Sequence, residues 1–223
     1  MQTLYFFSGF DPEKGFPADI AQSLREHITV RESIVLICTR PDTHEKTDMY
    51  ANGTVAWFRN IGIEFQAYHV LDDRKTQAEC MELTRNASVI YLMGGSPHSQ
   101  LEFLQKNNIA SLLLQFNGVI MGISAGAMTM ATNPFYCADK NFGLSHIYKS
   151  IGLADISVTP HFSISDKDLL NNEILPFSDI IDIYAMCDDS AIMVCGNKKQ
   201  YFGDIYFVSK GQVEKCKQAD CSK

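Results

Sequence analysis

Residues 119–131 read Val-Ile-Met-Gly-Ile-Ser-Ala-Gly-Ala-Met-Thr-Met-Ala. The run Val119 to Ile123 is nearly all apolar and β-prone, as a strand reads when both faces are covered. Ala125 to Ala131 is small at first and then helix-compatible. Between them stands Ser124, with Gly122 and Gly126 two residues to either side. Strand, sharp turn and helix are what a nucleophile elbow requires. Glycine at both flanks lets strand and helix approach where a Cβ would collide, and the hydroxyl projects from a strained turn. The amide of Ala125, in the first helical turn, has no intrahelical acceptor and is available to an oxyanion. A tight turn with an idle serine is the competing reading.

Outward from this stretch, short β-rich runs recur at Leu4–Phe7, Ser33–Cys38, Glu64–Val70, Ala87–Leu92, Ile156–Thr159, Ile181–Met186 and Ala191–Cys195. Segments of helical character lie between them: Pro17–His27, Lys46–Asn60, Thr76–Arg85, Gln100–Lys106 and Asp166–Leu175. This alternation predicts right-handed βαβ crossovers and a three-layer α/β/α fold with a mostly parallel central sheet. Without linker, repeat or composition break, residues 1–223 read as one domain. Tyr201–Phe202 and Ile205–Val208, flanking Gly203-Asp204, predict a closing hairpin.

Composition narrows the function classes. The 223 residues are 46% apolar and 20% charged, which excludes collagen-like and disordered chains. Lys and Arg number 19 against 26 Asp and Glu, and the net charge of −7 without a basic run argues against nucleic acid as a partner. Seven scattered cysteines suit reduced thiols better than a disulfide scaffold, and no zinc-ligand spacing or phosphate loop occurs, so no metal or cofactor is expected. No run approaches the ~20 apolar residues of a membrane span, and no export signal is visible, so a cytoplasmic location away from membranes is expected.

In open parallel sheets the chemistry sits at the carboxyl ends of the strands. A nucleophilic serine needs a base there. Of six histidines, His161 directly follows the strand Ile156–Thr159, behind Pro160, which rigidifies its loop. His27 and His69 fall in or beside regular elements, His146 in an irregular stretch, and His44 has no evident partner. For the acid that orients the imidazole, Asp139 lies between Ser124 and His161, with Asp155, Asp166 and Asp168 as competitors. The double glycine Gly94-Gly95 after the strand Ala87–Leu92 permits close backbone approach, and Gly95 offers a second oxyanion amide.

Tyr91-Leu92-Met93-Gly94-Gly95, Gly122-Ile123-Ser124-Ala125-Gly126-Ala127 and Pro160-His161-Phe162 together resemble the dipeptidase E (α-aspartyl dipeptidase) and cyanophycinase family of serine peptidases. The resemblance implies a class I glutamine amidotransferase-like fold, with Ser124 as nucleophile, His161 as base and Asp139 as acid. It further implies Gly95 and Ala125 as oxyanion donors, and a short peptide with an N-terminal Asp as substrate. No cofactor is implied, and the resemblance allows a monomer or a homodimer. Where the family has a polar pair such as Asn-Thr after its double glycine, this chain has Ser96-Pro97, which removes an amide donor. A substrate carboxylate would need a cation or several donors, and Arg40 and Gly94 are on the expected rim. An inactive or regulatory relative, and a peptidase of β-aspartyl or other specificity, are the alternatives.

Overall fold

The computed structural model describes residues 2–138 and 143–217. Its first half is a series of strand–helix units. They comprise β1 (Thr3–Phe7), α1 (Ala18–His27), β2 (Ser33–Ile37), α2 (His44–Asn60), β3 (Ala67–Leu71), α3 (Gln77–Asn86), β4 (Val89–Leu92), α4 (Pro97–Lys106), α5 (Ala110–Gln115), β5 (Val119–Ile123) and α6 (Ala125–Met130). Local chemistry sets the starts of these helices. Pro17 immediately precedes α1, and Thr76 forms a reciprocal capping box with Glu79 at α3. Ser96 Oγ accepts from the Ser99 amide at α4, whose first residue is Pro97, where no amide is needed.

The second half begins with a small hairpin, β6 (Phe135–Tyr136) and β7 (His146–Ile147). Six further strands follow: β8 (Ser157–Thr159), β9 (Ile183–Met186), β10 (Ala191–Cys195), β11 (Lys198–Phe202), β12 (Ile205–Ser209) and β13 (Gln212–Lys215). The main sheet has seven strands in the order β11-β10-β1-β5-β4-β2-β3, parallel from β1 to β3 and antiparallel where β10 and β11 join. A second sheet, β13-β12-β9-β8, contains one parallel pair, β8 with β9.

The continuous apolar runs are explained by what covers each face. Tyr5, Phe7, Ile34 and Leu36 pack under α1 and α2 against Ile20, Leu24, Ala51 and Phe58. The alternate residues Leu4, Phe6, Val35 and Ile37 face the other way, toward Cys80, Leu104, Leu113 and Met128 from α3 to α6. The second sheet joins that same layer through Val158, Tyr184, Met186 and Ile205. One flank of the central sheet is therefore covered partly by helices and partly by a sheet. The central sheet is nonetheless mostly parallel, and the mixed α/β class follows the expectation.

Two expectations change. Tyr201–Phe202 and Ile205–Val208 are not partners: β11 pairs with β10, while β12 pairs with β9 and β13. Gly203 lies between them at φ 70°, where a Cβ would meet Asp189 O at 2.7 Å, so this is a crossing from one sheet to the other. The Asp166–Leu175 segment is π-helical over Leu169–Ile174 and continues as a short α-turn, Leu175–Phe177, with Pro176 inside it.

Candidate active site

The paired strands set the levels at which functional side chains emerge. Phe7 is level with Ile123 and Leu92 with Gly122, so Ser8, Ser124 and Met93-Gly94 all leave the sheet at one rim. Thr159 is level with Ala185 on the adjoining parallel pair, which brings the segments after β8 and β9 together as well.

Ser124 occupies the elbow in a strained conformation, φ 52° and ψ −114°. Its amide donates to Phe7 O at 2.9 Å. A Cβ on Gly122 would lie 2.5 Å from Gly126 C and O, and one on Gly126 would lie 2.1 Å from Leu92 O. Both glycines are therefore required by contact as well as by turn geometry. The Ser124 hydroxyl lies 2.8 Å from His161 Nε2.

On its other side, His161 Nδ1 is 2.8 Å from Asp188 Oδ1. A carboxylate can only accept, so Nδ1–H donates to Asp188 and Nε2 is left to accept the Ser124 proton. The three side chains thus form a hydrogen-bonded chain with the polarity that activates a hydroxyl. Asp188 stands in the turn Cys187–Ser190 that joins β9 to β10, and its side chain is 60% exposed. Asp139, the acid expected from sequence, lies outside the described residues; the position on Nδ1 is held by Asp188. Among the competitors, Asp166 accepts from the Leu169 amide, and Asp155 precedes β8, at the end of that strand opposite His161.

Gly9 permits this pairing. A Cβ there would stand 2.6 Å from Asp188 Oδ1 and 2.7 Å from His161 Cε1. Gly9 has no positive φ, so Gly9→Ala is not opposed by its own backbone. The expected result is a loss of about 100-fold in the reaction rate of Ser124 with a fluorophosphonate, because displacing reacting groups by an ångström costs that much. The thermal midpoint should change little. Wild-type reactivity in Gly9→Ala would mean that the observed contact is not needed.

Gly94 and Gly95 lie against the elbow. A Cβ on Gly94 would be 3.6 Å from Ser124 Cβ, an ordinary contact, whereas one on Gly95 would meet Thr39 Oγ1 at 2.1 Å. Gly95 has φ 137°, a second reason for glycine at this position. The Thr39 hydroxyl donates to Gly94 O at 2.9 Å. Across a trans peptide the Gly95 N–H points opposite to that carbonyl, away from Thr39. The buried Gln100 amide donates to Ile37 O at 3.0 Å and to Met93 O at 3.2 Å, tying the ends of β2 and β4 together. Arg40, next to Thr39, is exposed on this rim. Ala125 begins α6 and is 2% exposed.

The remaining histidines are engaged elsewhere. His44 Nε2 is 2.5 Å from Asp73 Oδ1, and this hydrogen bond holds the imidazole above its ordinary pKa. Asp72 beside it takes Arg74, which also binds Asp48, so the His44–Asp72–Asp73 group of possible metal donors is already engaged by protein partners. His98 and His146 meet Nε2 to Nε2 at 3.2 Å among Tyr136 and Tyr148. His27 reaches Tyr5 Oη at 2.9 Å, and His69 is on β3. Among the described residues the cysteines form no disulfide, and burial pushes the Cys137 thiol up to about 12, far from a reactive thiolate at neutral pH. No described helix is long and apolar enough to cross a membrane.

Known proteins share the fold. The chain is similar over 99% of its length, and 96% of the other chain, to a peptidase from an acI-B1 Actinobacterium, with 17% identity and a TM-score of 0.71. It is likewise similar to a candidate peptidase E protein from Listeria monocytogenes EGD-e, with 20% identity, 91% and 98% coverage and a TM-score of 0.68. At these identities the likeness is one of fold. None of the curated proteins matches the chain. Residues 10–202 match the family model of Peptidase family S51, and the chain therefore belongs to that family of serine peptidases.

Proposed function

We propose that this peptidase hydrolyses short peptides by acyl transfer from a Ser124–His161–Asp188 triad, with dipeptides bearing N-terminal Asp as the preferred substrates. Ser124 attacks the scissile carbonyl while His161 Nε2 takes its proton, then returns it to the leaving amine. Asp188 keeps the imidazole in the required tautomer and stabilises its charged form. The Gly95 and Ala125 amides receive the oxyanion, each such donor being worth roughly 10²–10³ in rate. Water then releases the acyl-enzyme by the same route. The reading is carried by one observation: Ser124 Oγ stands 2.8 Å from a histidine nitrogen whose opposite nitrogen already donates to a carboxylate.

The Asp preference is supported by the sequence resemblance to dipeptidase E and by exposed Arg40 beside Thr39, the residue packed on Gly95. The test is a panel of Asp-X, Glu-X, β-Asp-X and N-blocked dipeptides, run beside fluorophosphonate labelling with the adduct mapped by mass spectrometry. Labelling at Ser124 with cleavage of Asp-X only when its amino group is free is the expected result. Labelling with equal cleavage of blocked peptides would overturn the specificity. No labelling at all would overturn the mechanism and favour an inactive relative.

A further inference from the structure

The end of β1 carries a hydroxyl that the triad chemistry does not itself use. Ser8 is fully buried, yet every hydrogen bond of its side chain goes to the segments bearing His161 and Asp188. Its Oγ accepts the His161 backbone N–H at 2.7 Å. Its single proton is placed between Met186 O at 3.0 Å and Asp188 Oδ1 at 3.1 Å. We propose that Ser8 is a positioning residue of the triad, aiming His161 at Ser124 by holding the histidine backbone and the Asp188 carboxylate at once.

Two features make this more than local satisfaction of a buried hydroxyl. First, His161 has φ 58°, a conformation a non-glycine residue keeps only when its surroundings hold it there. The Ser8 oxygen binds the amide of that very residue, and the Phe162 amide donates to Met186 O at 2.9 Å beside it. Second, Asp188 is 60% exposed, so solvent alone would leave its carboxylate free to rotate. Asp188 Oδ1 is the oxygen that accepts His161 Nδ1–H, and it is also the one within reach of Ser8. With Nδ1–H and a share of the Ser8 proton both directed at Oδ1, the rotation of the carboxylate is restrained. The backbone around Ser8 closes the same clamp: its amide donates to Ser190 O at 3.2 Å, and the Asp189 amide donates to Gly9 O at 2.7 Å. The strand pairing also explains why position 8 serves, since Phe7 is level with Ile123 and the next residue on each strand is Ser8 or Ser124.

This inference rests on Ser124 being the nucleophile, and the experiment separates the two. Fluorophosphonate labelling of Ser124 is resolved into kinact and KI for wild type, Ser8→Ala, Asp188→Asn and the double variant, alongside the downfield proton NMR signal of His161 Nδ1–H. Loss of a hydrogen bond to a charged group predicts that kinact falls about 10- to 100-fold in Ser8→Ala, with KI unchanged. The His161 signal should shift or broaden. In the Asp188→Asn background the Ser8 substitution should cost clearly less than in the wild-type background, because the share of the effect that passes through the Asp188 carboxylate is already lost and only the hold on the His161 backbone remains. An unchanged kinact and an unshifted signal in Ser8→Ala would overturn the proposal, as would an undiminished effect in the Asp188→Asn background. If Ser8→Ala does not fold, Ser8→Cys, nearly isosteric and a poor donor, is read by the same criteria. A wild type that does not label at all overturns the nucleophile reading instead, and the NMR comparison still decides the role of Ser8.

Discussion

Asparagine in place of Asp188 is expected to slow fluorophosphonate labelling of Ser124, and any peptide hydrolysis, by about 10³-fold. The loss has two sources. The substituted amide would carry no charge to stabilise the imidazolium that forms as His161 takes the Ser124 proton. It also presents two faces: with its nitrogen toward Nδ1, the histidine must shift its proton to Nε2, where it points at the hydroxyl it should deprotonate. Triads with a fully buried acid lose about 10⁴-fold on this change. Here the acid is 60% exposed, so water screens part of the charge and the lower figure is expected. Asp139→Asn should stay within about threefold of wild type, since Nδ1 has a single proton and Asp188 Oδ1 receives it at 2.8 Å. Rates of labelling on proteins with matched unfolding midpoints check both. A collapse in Asp139→Asn with little change in Asp188→Asn would reverse the assignment.

That contrast shows where sequence reading reached its limit. The parallel core was legible because strands covered on both faces cannot alternate: Val119–Ile123 matches its predicted bounds, as does Ala191–Cys195. The elbow was legible because two glycines at fixed offsets answer to contacts no other residue allows. His161 could be singled out because it directly follows the strand Ile156–Thr159, and the structure places its Nε2 2.8 Å from the Ser124 hydroxyl. Asp188 was not, because its partnership depends on register between β8 and β9, strands separated by 23 intervening residues that form a π-helical turn rather than a simple crossover. The available signal was Asp188-Asp189 just after an apolar run, on the same rim as Ser124 and His161. The closing hairpin failed for a related reason. Gly203-Asp204 has turn chemistry, but turn residues do not report whether the flanking strands pair with each other or with two different sheets, and here they do the latter. Helix α5 begins after Ile109 without a side-chain cap, which left it without a start signal.

Alanine at position 126 is expected to cost about 3 kcal/mol or more, at the upper end for overpacking, because nothing nearby can move cheaply. The added Cβ would lie 2.1 Å from Leu92 O and 2.6 Å from Leu92 C, both backbone atoms of β4, a strand held between β2 and β5. All six residues of α6 are buried, so the helix cannot retreat toward solvent. Against a total stability of about 5–15 kcal/mol, such a loss removes a large share of the folded state. Gly53→Ala makes the same chemical change in α2, where a Cβ meets nothing within 4 Å. There the better helix propensity of alanine should raise stability by up to about 1 kcal/mol. Urea unfolding of the two variants beside wild type therefore separates the cost of the site from the intrinsic effect of a methyl group. Equal midpoints for the two variants would mean that α6 does not approach β4 this closely, and the strained serine between them would lose its structural cause.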